Sequence, residues 1–454
     1  MSVDRQLLAK LALYPHVVVS WIDDDGQPWQ SPASFTVDAE RGVLRIAGTG
    51  LPLPTDRQVN VIASHIRPQA GSGYDQRRYL LLWGRLSHDG DDLVLRPERT
   101  WGWDEAETPF FEYAERSNRR ARRYLKLLSQ ERGVEVKPRL SPLWTFLLAT
   151  RLPFLTATII PILLGVAVAA KDGDFSWWLA LLTLLGGASI HIGLNTANDV
   201  FDALSGADEA NVNPTQFSGG SRVIQRGLVS LRRMSLLSVG AYLLGGSIGL
   251  YLMWERGSAE LIAIGVVGVL VSVFYTAPPL RLVHRGLGEV AVAVGFGPLM
   301  VLGAYVVQTQ RLSVEALVVS IPVAILISLV LYVNEIPDRR SDAAVGKRTL
   351  PTRLSEGAVT LGFLAAALLA FSVVGLAGAL GLIPRPALMA VVPLPLALKV
   401  YSGIREHYWS PYDLMAIMGK NVQLHLAVGL LLFAGYMTSV IASGLLDSPP
   451  AFLV

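Results

Sequence analysis

Beyond Leu143 the chain becomes a series of long apolar runs, and no other feature restricts its fold as strongly. Nine such segments can be read, at residues 152–170, 177–198, 234–254, 259–276, 287–307, 314–334, 358–382, 387–404 and 424–444. Each is long enough to cross a bilayer core of roughly 30 Å as a helix. Trp177, Trp178 and Trp254 sit at segment ends, where interfacial aromatics belong. A buried soluble helical protein has no need of nine in series. The expected fold class is an all-α integral membrane bundle of nine transmembrane helices over residues 143–454, preceded by a small soluble β-rich domain.

Composition sharpens that division. Hydrophobic residues make up 52% of the chain and charged residues 17%, yet up to about residue 137 the sequence is charged and mixed. The net charge of +3, from 39 basic and 36 acidic residues, gives no reason to expect nucleic acid as a partner. The absence of cysteine excludes disulfides, thiolate metal sites and a cysteine nucleophile. The opening MSVDRQLLAK lacks the apolar core of a signal peptide, so export of the N-terminal part is not expected.

Residues 1–109 read as the soluble domain. A short helix at 4–13 leads into HVVVSWI, and Asp25-Gly26 offers a tight turn. Further strands are expected at 34–37, 43–47, 59–66, 79–87 and 93–95, with turns at Glu40-Arg41-Gly42 and Asp89-Gly90. Six short strands at this spacing imply a meander or small barrel. Residues 110–142 then form a basic helix and linker. Arg116, Arg119, Arg120, Arg122, Arg123 and Lys126 fit either a solvated face or a helix held against anionic lipid. On a lipid surface each cation contributes on the order of 1 kcal/mol, and the position just before the first membrane segment favours lipid. Lys137-Pro138 and Ser141-Pro142 make the linker, with Trp144 and Arg151 as an interfacial lead-in.

Loop charge predicts orientation. With the N-terminal domain in the cytoplasm, the inner loops carry Arg222, Arg226, Arg232, Arg233, Arg281, Arg285, Arg339, Arg340, Lys347, Arg348, Arg353, Arg405 and Lys420. The outer loops carry only Lys171, Arg256, Arg311 and Arg385. Cations concentrate on the cytoplasmic side of membrane proteins. The expected location is the cell membrane, multi-pass, with the chemistry facing the cytoplasm.

Two acidic clusters carry that chemistry. In HIGLNTANDVFDALSGAD, from His191 to Asp208, the spacing puts Asn195, Asp199 and Asp202 on one helix face with Asn198 beside Asp202. In NEIPDRRSDAAVGKRTL, Asn334, Asp338 and Asp342 recur every four residues. Carboxylates at membrane helix ends are costly to desolvate and mark functional sites. Two sets after the second and sixth segments can face one cavity, and divalent metals between them would template a diphosphate. Arg222, Arg226, Arg281, Arg285, Lys347 and Arg348 offer phosphate contacts, and Ser218-Gly219-Gly220-Ser221-Arg222 could expose backbone amides to an anion. His191 reads as a satisfied interior polar group and Glu289 as an orienter of an arginine such as Arg285. Trp101 and Trp103 read as packing or interface anchors.

These stretches, together with FSGGSRVIQRGLVS and YTAPPLRLVHRGLGEV, resemble the UbiA superfamily of intramembrane prenyltransferases over residues 143–444. The branch of 1,4-dihydroxy-2-naphthoate prenyltransferases in menaquinone synthesis is the most similar. RLPFLTATIIPILLG, the gap of six from Asp202 to Asp208, and RGLGEV with a later YVVQT resemble it. In the 4-hydroxybenzoate branch the last motif aspartate usually stands where this chain has Gly206, while NVNPTQFSGGSR departs from the familiar naphthoate form. The resemblance implies nine transmembrane helices, with Asn198, Asp199, Asp202 and Asp208 holding one Mg²⁺ and Asp338 with Asp342 the other. Asn195 and Asn334 would support them. Arg222, Arg281, Lys347 and Arg348 would grip the diphosphate, with Arg285 nearby and Tyr275 close to the allylic carbon. It also implies polyprenyl diphosphate and an aromatic acceptor as partners within the lipid bilayer. Another acceptor (4-hydroxybenzoate, a chlorophyll-type ring or a lipid glycerol) is the alternative. A cation-handling transporter is a second, although the acids lie at segment ends and not at the midplane. The strand order ending in YLLLWGRLSHDGDDLVLRPE resembles the split barrels related to pyridoxamine 5′-phosphate oxidase. Many of those bind flavin, so bound flavin, regulation and scaffolding are the expectations for the N-terminal domain.

Overall fold

The computed structural model describes residues 9–447, apart from 39, 48–52, 54, 56, 69–73, 90, 91, 137, 139, 212 and 213. The start of the expected first helix, Gly90 of one turn, Lys137 of the linker and two residues of NVNPTQF lie outside the described residues. The chain divides into two compact units, Met1–Arg119 and Arg120–Val454.

The first unit is built on one antiparallel sheet of seven strands. They are β1 (Val17–Ile22), β2 (Pro28–Ala33), β3 (Phe35–Asp38), β4 (Val43–Ile46), β5 (Gln58–Pro68), β6 (Tyr74–Asp89) and β7 (Asp92–Asp104). Their order is β2-β1-β5-β6-β7-β4-β3. The strand missing from the sequence expectation is β2, whose PWQSPA reads as a loop because of its two prolines. It lies at an edge of the sheet, where a missing N–H costs no ladder bond. Alternate residues turn to one face, as the two-residue strand period requires. Val17, Val19, Val59, Val61, Leu80 and Leu82 are buried there together with Leu11. A bulge separates Trp83 from Gly84. Any Cβ on Gly84 would lie 2.2 Å from the Arg96 carbonyl oxygen, so only glycine fits that crossing. The helix α1 follows at Phe110–Arg132.

The second unit is all-helical. After α2 (Pro142–Thr150) come α3 (Thr156–Lys171), α4 (Trp177–Ser205), α5 (Leu231–Arg256), α6 (Ala259–Thr276), α7 (Gly288–Thr309), α8 (Val314–Ala344), α9 (Glu356–Ala379), α10 (Leu394–His407) and α11 (Pro411–Asp447). Among the described residues eight helices are long and apolar enough to cross a membrane. The first expected segment is divided. Arg151 takes a left-handed conformation (φ 50°) and closes α2, a 3-10 turn covers Leu152–Leu155, and α3 has only 16 residues. Serine hydroxyls start several of the others: Ser230, Ser258, Ser313 and Ser355 each accept the amide three residues on, at 3.2–3.3 Å. Large apolar side chains point outward, with Leu243, Leu250, Leu361 and Leu376 all more than 60% exposed, as lipid contact requires.

Two helices run on past their apolar segments. Helix α4 continues to Ser205 and stops at Gly206, whose positive φ (77°) closes it. Helix α8 continues to Ala344. The acidic residues therefore sit on rigid helical extensions and not on loops.

Candidate active site

Asn195, Asn198, Asp199 and Asp202 occupy the end of α4, and Asp208 lies on the single helical turn Ala207–Ala210 that follows. Asn334, Glu335, Asp338 and Asp342 occupy the end of α8. The small-residue loop joins the two sets. The Gly219 amide donates to Asp338 at 2.9 Å, and the Ser221 amide, two residues on, donates to Asp199 at 3.2 Å. Asn211 adds a bond to Asp338 at 2.8 Å, and the Ser221 hydroxyl adds one to Asp199. Asn198 donates to Asp202 at 2.8 Å and Gln225 to Asp208 at 2.8 Å.

The residues so gathered enclose a cavity of about 170 Å³. Asn195, Asn198, Asp202, Asp208, Tyr275, Asn334, Asp338, Asp342 and Lys347 all line it. Asp199 is buried and holds the loop. Arg222 is also buried, donating to the Asp208 carbonyl and lying 4.0 Å from its carboxylate. Of the six expected phosphate contacts only Lys347 lines this cavity; Arg222, Arg226, Arg281, Arg285 and Arg348 do not. Arg281, Arg285 and Arg348 are exposed, and Arg285 donates to the Pro279 carbonyl at 3.0 Å. Glu289 is likewise not oriented towards Arg285 but accepts the Leu350 amide at 3.3 Å. His191 is bonded to Thr158 at 2.6 Å, a satisfied interior group. In the first unit, Trp103 stacks on Tyr113 at 4.5 Å and donates to the Thr108 carbonyl at 2.8 Å, which is a packing role.

Two lining residues escaped the sequence reading. Arg151 reaches Asp199 at 2.5 Å, so the break between α2 and α3 serves to turn a guanidinium into the site. Glu335 shares the lining.

Charge decides what this cavity can hold. Among the described residues Asp202, Asp208, Glu335, Asp338 and Asp342 line it against Arg151 and Lys347, with Arg222 behind Asp208. A diphosphate adds more negative charge to a site already in deficit of cations, so it needs metal with it. The donor set fits a hard divalent ion. Asp202 Oδ1, Asp342 Oδ2 and Asn334 Oδ1 are buried oxygens without a partner among the described residues. No three Asp, Glu or His side chains among the described residues converge to enclose an ion by themselves. Mg²⁺ is commonly bound that way, by one or two carboxylates with substrate phosphate and water completing the shell. Burial, with the Asp202 and Asp199 charges beside it, pushes the Asp208 carboxyl up to about 8. Burial opposes the charge on Lys347, but Asp202, Asp342 and Glu335 outweigh it and hold the ammonium protonated.

A second cavity of about 490 Å³ is lined almost wholly by apolar side chains of α4, α5, α6 and α7. His191, Leu194, Tyr275, Val292 and Phe296 line both cavities, so a polar head and an apolar tail have adjoining room.

Comparison with known proteins identifies the family. The UbiA prenyltransferase family profile matches residues 158–413. The 2-carboxy-1,4-naphthoquinone phytyltransferase of Synechocystis is 28% identical over 66% of this chain and 94% of its own. The 1,4-dihydroxy-2-naphthoate octaprenyltransferase of Mycobacterium tuberculosis is 31% identical over 55% of this chain and 82% of its own. A solved UbiA homolog from Archaeoglobus fulgidus, bound to GPP and Mg²⁺, covers 64% of this chain and 99% of its own at 14% identity, with a TM-score of 0.46. The chain belongs to the UbiA prenyltransferase family.

Proposed function

We propose that the protein transfers a polyprenyl group from an allylic diphosphate to 1,4-dihydroxy-2-naphthoate in menaquinone biosynthesis. The observation that carries this is the loop whose Gly219 and Ser221 amides join Asp338, on the wall of the polar cavity, to buried Asp199 behind it, with an apolar cavity adjoining. The names of the two curated relatives support a carboxylated naphthalene ring as acceptor. Family membership leaves no ground for the transporter alternative.

Mg²⁺ bound by Asn198, Asp199, Asp202 and Asp208 on one side and by Asp338 and Asp342 on the other would neutralise the diphosphate as it departs. Asn195 and Asn334 support those ligands. Lys347 and Arg151 bring fixed positive charge to the leaving oxygens. Tyr275, at the junction of the cavities, flanks the allylic carbon. The helices around it exclude water, which would quench a carbocation-like species before the electron-rich ring attacks it. Arg222 holds the Asp208 turn in place.

The membrane topology belongs to the same reading. Helix α3 with its preceding 3-10 turn supplies a ninth crossing, and the inner-loop cations set the active site and the N-terminal domain on the cytoplasmic side of the cell membrane. Flavin in the N-terminal domain rests on strand pattern alone, and the visible spectrum of the purified chain tests it. The main reading is tested by supplying one labelled polyprenyl diphosphate with several acceptors. Transfer to dihydroxynaphthoate is expected; transfer only to another ring would overturn the acceptor.

A further inference from the structure

One guanidinium of helix α1 reaches the candidate site from outside. Arg122 donates to the Gln225 carbonyl, and Gln225 in turn donates its side-chain amide to Asp208 at 2.8 Å. Gln225 stands on a tight turn closed by the Arg226 amide on the Arg222 carbonyl at 2.9 Å. Arg222 also donates to the Asp208 carbonyl, so this single turn holds Asp208 at two points. The contact brings Arg122 to the end of the bundle that carries the acidic residues.

The other side of α1 is exposed and mixed. At about 100° per residue, Arg116, Arg120, Arg123, Tyr124 and Leu127 fall within about 100° of one another, and their centre lies about 150° round the helix from Arg122. All five are exposed, Tyr124 at 63% and Leu127 at 56%. Arg116 is paired with Glu112, and Glu131 places an acid on the last turn of this face. A face turned only to water has no use for an aromatic ring and a leucine set among arginines. An anionic bilayer surface complements both, taking the apolar groups into its headgroup region and the cations at its phosphates. Apolar exposure also continues along the chain. Val134, Leu140, Leu143 and Trp144 are exposed on the path that leads into α2 and the membrane helices.

We propose that this face of α1 docks on anionic phospholipid of the inner leaflet, and that Arg122 passes the docking to Asp208 through Gln225, tightening the binding of Mg²⁺. The role of Asp208 as a metal ligand rests on the prenyltransferase reading; the docking does not. A helix held on the bilayer keeps Arg122 on the Gln225 turn. A helix released into water can withdraw, and Asp208 then loses the contact that steadies the turn beneath it. The two states of α1 therefore differ in affinity both for lipid and for metal, which is what coupling between two sites requires.

The test uses the full-length protein in vesicles of phosphatidylcholine, alone or with phosphatidylglycerol. The chain has no cysteine, so Leu127→Cys carries an environment-sensitive dye at one defined place. With phosphatidylglycerol its emission is expected to shift to the blue, and about 1 M salt to reverse the shift. The Mg²⁺ midpoint, read from thermal stabilisation as well as from prenyl transfer, is expected to fall about fivefold or more in the same vesicles. Arg120→Gln combined with Arg123→Gln is expected to remove both effects while midpoint and turnover in phosphatidylcholine alone stay unchanged. Arg122→Ala keeps the dye shift and loses the midpoint change. Equal emission in the two kinds of vesicle overturns the docking. A dye shift with a constant Mg²⁺ midpoint overturns the coupling. Protein that shows both effects but transfers to no acceptor overturns the prenyltransferase reading and leaves this proposal standing.

Discussion

The Arg151 guanidinium lies 2.5 Å from the Asp199 carboxylate, joining the break between α2 and α3 to the acidic end of α4. Both side chains are largely buried, at 21% and 3% exposed. Removing one partner of a buried pair strands the other charge, at a cost of about 3–5 kcal/mol. Arg151→Ala is expected to lower the melting temperature in detergent and to remove transfer activity, because Asp199 also holds Ser221. Arg151→Lys keeps the charge but not the planar fork, so a smaller loss of stability is expected. An unchanged melting temperature for Arg151→Ala would show the pair to be incidental.

Gly220 makes a separate prediction. Its φ of +75° is left-handed, and a Cβ there would lie 3.0 Å from Asp208 Oδ1, 3.2 Å from the Arg151 guanidinium and 3.3 Å from Asp199 Oδ1. Gly220→Ala adds about 1–2 kcal/mol of backbone strain and wedges three site residues apart. A fall in kcat/KM of roughly tenfold is expected for each 1.4 kcal/mol so lost, with a folded protein by circular dichroism.

Metal affinity should depend on pH through Asp208. Its carboxyl, raised to about 8 by burial and by Asp202 and Asp199, is largely protonated at neutral pH in the metal-free protein. A divalent ion must displace that proton. Apparent Mg²⁺ affinity is therefore expected to rise from about pH 6 to about pH 8, by up to about tenfold per unit, and then to level off. Activation by Mg²⁺ measured across that range checks it, and Asp208→Asn should flatten the slope.

The N-terminal sheet lies outside the family match at residues 158–413. A chain shortened to residues 110–454 is expected to retain prenyl transfer, measured per mole of purified protein. Complete loss would assign the sheet a part in catalysis.

The acidic clusters were legible in the sequence because their spacing is local: four-residue repeats on a helix share a face whatever the rest of the chain does. Arg151 was not, since an arginine ahead of an apolar run reads as an interfacial anchor and its partner is on another helix. Glu335 was missed because it stands outside the four-residue series of Asn334, Asp338 and Asp342. Arg281, Arg285 and Arg348 show the converse limit. Membership of an inner loop is plain from charge, but left-handed Arg281 (φ 45°) and the 3-10 turn at Leu282–Arg285 set the backbone that carries Arg281 and Arg285. The strand β2 escaped notice because its prolines are compatible only with an edge, and edges are decided by the whole sheet.

The central claim is that Asp199 and Asp338 serve one diphosphate site. The most direct measurement is Mg²⁺-dependent transfer from labelled polyprenyl diphosphate to 1,4-dihydroxy-2-naphthoate by Asp199→Asn, Asp338→Asn and the double variant. Each single change is expected to abolish transfer, with the double variant no worse than either, as for groups that act as a unit. Retained turnover in one folded single variant, with loss only in the other, would contradict a shared site.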